Sequence, residues 1–162
     1  MILPDGRAGT SRRGKWVVAT ILGLGLVLAA AKLGQEVWIE RHIERRAAEL
    51  RRDVAAEDPA RLRADDHRAL RELLLARGYF QDFAHYSDRA APLLMKEIAE
   101  DLRREQPADR SPIRAACFIL LFRARSTRSE EFVRENLPRI EAGDLRKEAE
   151  AYLKAMELKR GG

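Results

Sequence analysis

The chain has 162 residues and a net charge of +5, is 35% charged and 6% aromatic, and holds ten glycines, six prolines and one cysteine. That leaves room for one modest domain, points to helices rather than an aromatic and β-branched sheet, and excludes an internal disulfide. The surplus charge is split as +3 over residues 1–15, −1 over 32–58 and +3 over 59–162, where both signs interleave, so the general footprint of a nucleic-acid binder is missing and no such partner is expected. Of 31 basic residues 25 are arginine, a bias that suits a GC-rich, bacterial genome.

Residues 1–15 form a basic tail, and residues 16–31 follow without a single charge. Sixteen helical residues rise about 24 Å against a hydrocarbon layer of roughly 30 Å. Extending the span to residues 16–33, with Lys15 and Lys32 reaching outward and Trp16 and Trp38 at the two interfaces, recovers most of the difference. Ala29, Ala30 and Ala31 also resemble a signal-peptidase site, and cleavage there would give a secreted helical domain. The retained anchor is the favoured expectation, because no proline or glycine interrupts residues 35–58 and the helical pattern continues. The short basic tail is hard to translocate, which places the N-terminus in the cytoplasm and the C-terminal domain outside it, periplasmic in a bacterium.

Residues 34–58 read as a helical stalk with an apolar seam of Ile43, Ala47, Leu50 and Val54 at spacings of four, three and four. Such a seam packs on its own domain or zips weakly with a second copy. Asp58 before Pro59 ends the stalk, and an all-α domain is expected over residues 59–162. Asp65 and Asp66 can cap a helix running to Arg77, with Gly78 as its stop. A short aromatic helix spans residues 79–86. Pro92 is expected to begin the regular part of a helix reaching Glu105, with Leu94, Ile98 and Leu102 inward.

Ser111 followed by Pro112 reads as an N-cap and first helical residue. The helix it opens is apolar nearly all round: Ile113, Ala116, Cys117, Leu120 and Leu121 form one stripe, and Phe118, Ile119 and Phe122 cover the other side. It is therefore expected at the domain's centre, with Cys117 as an inert core thiol. Thr127 to Glu130 has the spacing of a capping box before a helix carrying Phe132 and Val133, which Pro138 shortens. Gly143 and Asp144 open the last helix, with Leu145, Ala149, Tyr152, Leu153 and Met156 inward.

"SPIRAACFILL" from Ser111 and "GDLRKEAEAYL" from Gly143 align at an offset of 32, pairing Ile113 with Leu145, Arg114 with Arg146, Cys117 with Ala149 and Leu121 with Leu153. This resembles the opening of the first helix of HEAT-like repeats in their short bacterial form, with residues 66–105 as a more degenerate earlier unit. Plain antiparallel helices would carry much the same pattern. The resemblance implies a stack of helix pairs that binds proteins through one face.

No nucleophile elbow, phosphate loop, zinc-protease or paired-cysteine motif occurs, and neither an enzymatic activity nor a cofactor is expected. An alternative, a small metal or enzymatic site, would use Asp82, His85 and Asp88, although steps of three carry the third ligand off the first one's face. The one asymmetric charge run lies between Asp109 and Glu130, where Arg110, Arg114, Arg123, Arg125 and Arg128 meet no acid. Arg123, Arg125 and Arg128 are the expected contacts for an acidic protein partner or anionic headgroups, because guanidinium pairs with carboxylate and phosphate through two hydrogen bonds.

Overall fold

The computed structural model describes residues 12–58, 62, 67–104, 111–140 and 143–161, and side chains from Thr20 onward. Among the described residues the regular structure is helical, without a strand. The expected caps Asp65 and Asp66, the flanking Pro59 and Pro107, and Arg110 lie outside the described residues, as do the side chains of Lys15 and Trp16.

Helix α1, Arg12–Ala56, is unbroken through both the apolar run and the stalk. The chain divides into a unit ending at Trp38 and a compact unit from Ile39 to Gly162. In the first unit the large apolar side chains from Ile21 to Trp38 are 48–73% exposed, and the helix is long and apolar enough to cross a membrane.

The second unit begins inside α1, earlier in the chain than the end of the stalk. Ile43, Ala47, Leu50 and Val54 are all buried in the core of that unit, so the seam is occupied from within the chain. Polar contacts fasten the same stretch. Arg46 bonds Asp82 at 2.6 Å, donates to the Arg77 carbonyl at 2.6 Å and lies 4.3 Å from the Tyr79 ring centre. Arg51 makes a two-point pair with Glu97, and Tyr79 donates to Asp53 at 2.8 Å.

Burial first, then the Asp53 hydrogen bond, pushes the Tyr79 phenol above its ordinary pKa. The folded phenol therefore stays protonated where an unfolded tyrosine ionises, near pH 10. Its stabilisation is complete below about pH 10 and fades above. Tyr79→Phe is expected to cost about 1.5–3 kcal/mol at pH 7, as a hydrogen bond to a carboxylate does. Denaturant melts at rising pH should show the gap between wild type and variant closing in alkali.

The remaining helices are α2 (Arg68–Ala76), α3 (Tyr79–His85), α4 (Ser87–Leu102), α5 (Pro112–Ala124), α6 (Glu130–Asn136) and α7 (Asp144–Arg160). Gly78 takes the left-handed conformation at φ 73°, ending α2 and capping α3, as its position suggested. Pro92 does not begin α4; the helix starts five residues earlier and carries the proline inside. A proline has no N–H for the carbonyl four residues back, here that of Asp88. The Arg128 guanidinium lies 3.5 Å from that carbonyl.

Ser111 caps α5 with Pro112 at its first position, and its hydroxyl accepts from the Arg114 amide. Every residue from Ala115 to Phe122 is buried, and α5 packs against α2, α3, α4 and α7. The expected capping box is displaced by one: Ser126, not Thr127, caps the turn Thr127–Ser129 that leads into α6. Ser126 also donates to Asp88 at 2.7 Å, and its carbonyl receives Ser129 at 2.8 Å and Tyr152 at 2.7 Å. That network draws its groups inward, which the linear cap pattern did not show. Pro138 sits in the turn Leu137–Arg139 and ends α6, as expected.

Candidate functional site

The basic run does not act as a unit. Arg114 is drawn into the core with its side chain 0% exposed, 2.9 Å from Asp101 on α4. Arg128 turns toward α4 and the Asp88 carbonyl. Arg123 and Arg125 remain near the end of α5 and border two adjoining depressions that share Arg123 and Glu148.

Four helices each present one stripe to this groove. Arg68, Arg71, Glu72 and Leu75 come from α2 at helical spacing, and Phe80 and Ala84 from α3. Ile119, Phe122 and Arg123 supply the floor from α5. Along α7, Asp144, Glu148, Ala151, Tyr152, Ala155 and Met156 form the far wall. The larger depression holds about 690 Å³ and the smaller about 260 Å³. At the rim Leu75 is 69% exposed.

The charges of the groove are unevenly matched. Glu148 pairs with Arg71 at 2.7 Å, Glu72 with Arg68 at 3.0 Å, and Asp144 with Lys147 at 3.6 Å. Arg123 lies over the Phe80 ring, 5.6 Å from its centre. Neither Arg123 nor Arg125 forms an ion pair with a described residue. The unmatched charge of the groove is therefore positive.

Arg125 has a second peculiarity. It closes α5 in the left-handed conformation, at φ 51° and ψ 33°, where glycine is the usual residue. For a residue with a Cβ that conformation costs about 1–2 kcal/mol. Arg125→Gly is accordingly expected to raise the melting temperature by a few degrees or leave it unchanged, since glycine also loosens the unfolded chain. A thermal melt followed by circular dichroism checks this, and a drop of several degrees would mean that the guanidinium holds the fold.

A further pocket of about 360 Å³ lies between α1, α4 and the start of α5. Most of its charges are answered within the fold, Arg51 by Glu97, Asp101 by Arg114 and Glu100 by Lys96 at 3.8 Å, while Arg104 at its edge forms no ion pair with a described residue.

Asp82, His85 and Asp88 are not brought together. Asp82 is held by Arg46 and Asp88 by the Ser126 hydroxyl, while His85 stacks edge-on with Tyr86, ring centres 4.6 Å apart. Among the described residues no group of three or more potential ligands is placed to hold a metal ion. Cys117 is buried, and burial raises its thiol pKa, which keeps it protonated. No family model, no curated protein and no solved structure matches the chain.

Proposed function

We propose that this chain is a membrane-anchored interaction module, non-enzymatic, that holds a protein partner at the bilayer surface. In this reading residues 16–33 are a retained anchor, with Lys15, Trp16, Lys32 and Trp38 at its ends. The N-terminus is cytoplasmic and the domain lies outside. The domain belongs to the HEAT-like kind of helix-pair stack, whose repeated positions include Cys117, Leu121, Ala149 and Leu153, all buried in the core. The matched arginines do not share an environment, since Arg114 is buried and Arg146 pairs with Glu150 at 3.3 Å near the surface.

The observation that carries the reading is the groove, where four helix faces converge on an apolar floor and two guanidinium groups that no described carboxylate pairs with. Partner surfaces are enriched in such arginine and aromatic combinations. The uninterrupted α1 supports a retained anchor, because a peptidase binds extended chain.

Two measurements test it. A photo-crosslinking residue at Leu75 or Ala155 of the full chain, activated in native membranes, should give a discrete protein adduct, and one at Lys96, away from the groove, should not. Mass spectrometry of the membrane-extracted protein should show an intact N-terminal peptide. No adduct from the groove would overturn the module, and a mature N-terminus at Lys32 would overturn the anchor.

A further inference from the structure

We propose that the partner enters the groove as an acidic amphipathic helix of about three turns, its apolar stripe on Leu75, Phe80 and the alanines of the walls and its carboxylates on Arg123 and Arg125. The inference rests on the interaction-module reading and adds the form and charge of what is bound.

Shape gives the first argument. On α7 the wall runs from Asp144 to Met156, twelve steps of about 1.5 Å, or roughly 18 Å of groove. A helix of about twelve residues matches that length. Apart from Arg125, which caps α5, the lining residues lie within helices and no strand edge borders the groove, so it offers mainly side chains. An extended peptide would bring N–H and C=O groups to a surface with nothing to receive them, whereas a helix arrives with its own satisfied. Alanines at 84, 151 and 155 along the walls leave room for a second backbone to come close.

Charge gives the second. Every carboxylate of the lining has a basic partner, and among the described residues Arg123 and Arg125 have no acidic one. A neutral or basic helix would leave those two guanidinium groups facing an apolar body, losing water without gaining a counter-ion. Glutamates flanking the apolar stripe supply it through two-point hydrogen bonds.

A membrane surface fits the groove less well. Headgroups pair with arginines on a convex or flat face, but the floor here is concave and Ile119 is buried at its base. Leu75 alone is too small an apolar projection to insert.

The test uses the full chain in nanodiscs of neutral phosphatidylcholine. The probe is a fluorescent helical peptide of about 14 residues with leucines along one stripe and glutamates beside it, compared with a twin carrying lysines at the same places. By fluorescence polarisation the glutamate peptide should bind at least about tenfold tighter than its twin, and the difference should shrink as salt rises. The double variant Arg123→Glu/Arg125→Glu should lose about tenfold or more in affinity, and Leu75→Glu should weaken binding of the glutamate peptide. Arg125→Gly should lose affinity without losing thermal stability, a combination that misfolding cannot give. Lys96→Glu, outside the groove, should bind as wild type does.

Equal binding of the twins, or no binding of either, overturns the proposal. So does capture of vesicles containing phosphatidylglycerol through Arg123 and Arg125 when the glutamate peptide is ignored. A concentration-dependent dimer that the double variant abolishes, with the peptide again ignored, would assign the groove to a second copy and likewise overturn it. If adducts form at Leu75 in native membranes while the twins bind equally, the module stands and its occupant has been misread. If both adducts and peptide binding are absent, both readings fall.

Discussion

Asp101→Ala should destabilise the Ile39–Gly162 unit by about 3–5 kcal/mol, a large share of the 5–15 kcal/mol typical of a domain. The Arg114 side chain is 0% exposed, and the Asp101 carboxylate, 11% exposed, stands 2.9 Å from its Nε. A guanidinium cannot shed its proton at any ordinary pH, so removal of the carboxylate leaves a permanent charge in the interior without that counter-ion. The size of the effect reflects a broken pair rather than the worth of an intact one. Arg114→Met with Asp101→Leu should recover most of the loss, because well-packed apolar groups of similar volume replace a buried pair at little cost or with a gain. Urea unfolding of Arg114→Met, Asp101→Leu and the double variant closes the cycle. Equal destabilisation of the double variant and Asp101→Ala would show that Arg114 is held by packing rather than by charge. Because the pair joins the start of α5 to α4, and the far end of α5 carries Arg123, peptide binding by the double variant should follow its recovered stability.

How much of this was legible in the sequence depended on how local the deciding interaction was. The unbroken α1, the seam from Ile43 to Val54, the stop at Gly78, the start at Ser111 and Pro112, and the all-round burial of α5 each follow from residues a turn or two apart. What covers the seam did not follow, since Asp82 and Glu97, which fasten it, lie 36 and 46 residues from their arginines. Arg114 read as one of five basic residues in an acid-free run, because its counter-ion sits on another helix. Pro92 looked like a beginning because proline usually is one, and the group nearest the carbonyl it leaves open comes from Arg128, 40 residues from Asp88.

The groove was the least legible feature. Its lining is drawn from residues 68–84, 119–125 and 144–156, and no single segment shows more than an amphipathic stripe. The arginine cluster near 123–128 was visible, but linear proximity grouped Arg128 with the other two. The left-handed turn at Arg125 and the Ser126 cap separate them, and neither has a signature stronger than a serine next to an arginine.

Cys117→Asp carries the other large effect, and its pH dependence tells where the cost arises. The thiol is buried in the middle of α5, and desolvation first, then Glu97, raises its pKa while Arg51 opposes them. An aspartate there meets the same surroundings and is driven to the neutral form, so its folded pKa lies above the unfolded value of about 3.9. At pH 7 the unfolded chain keeps the charge and the folded one gives it up. Three pH units at about 1.4 kcal/mol each put this part of the loss near 4 kcal/mol, beyond the cost of a polar group among apolar neighbours. The sign follows from linkage: a raised folded pKa favours the folded state only where the group is protonated in both, so the penalty relative to wild type is smallest near pH 4 and widens toward pH 7. Urea midpoints of wild type and variant, compared at both pH values, should therefore diverge as pH rises. A difference that stays constant between them, or a variant as stable as wild type at pH 7, would mean that water reaches position 117 and that α5 is not the centre of the domain.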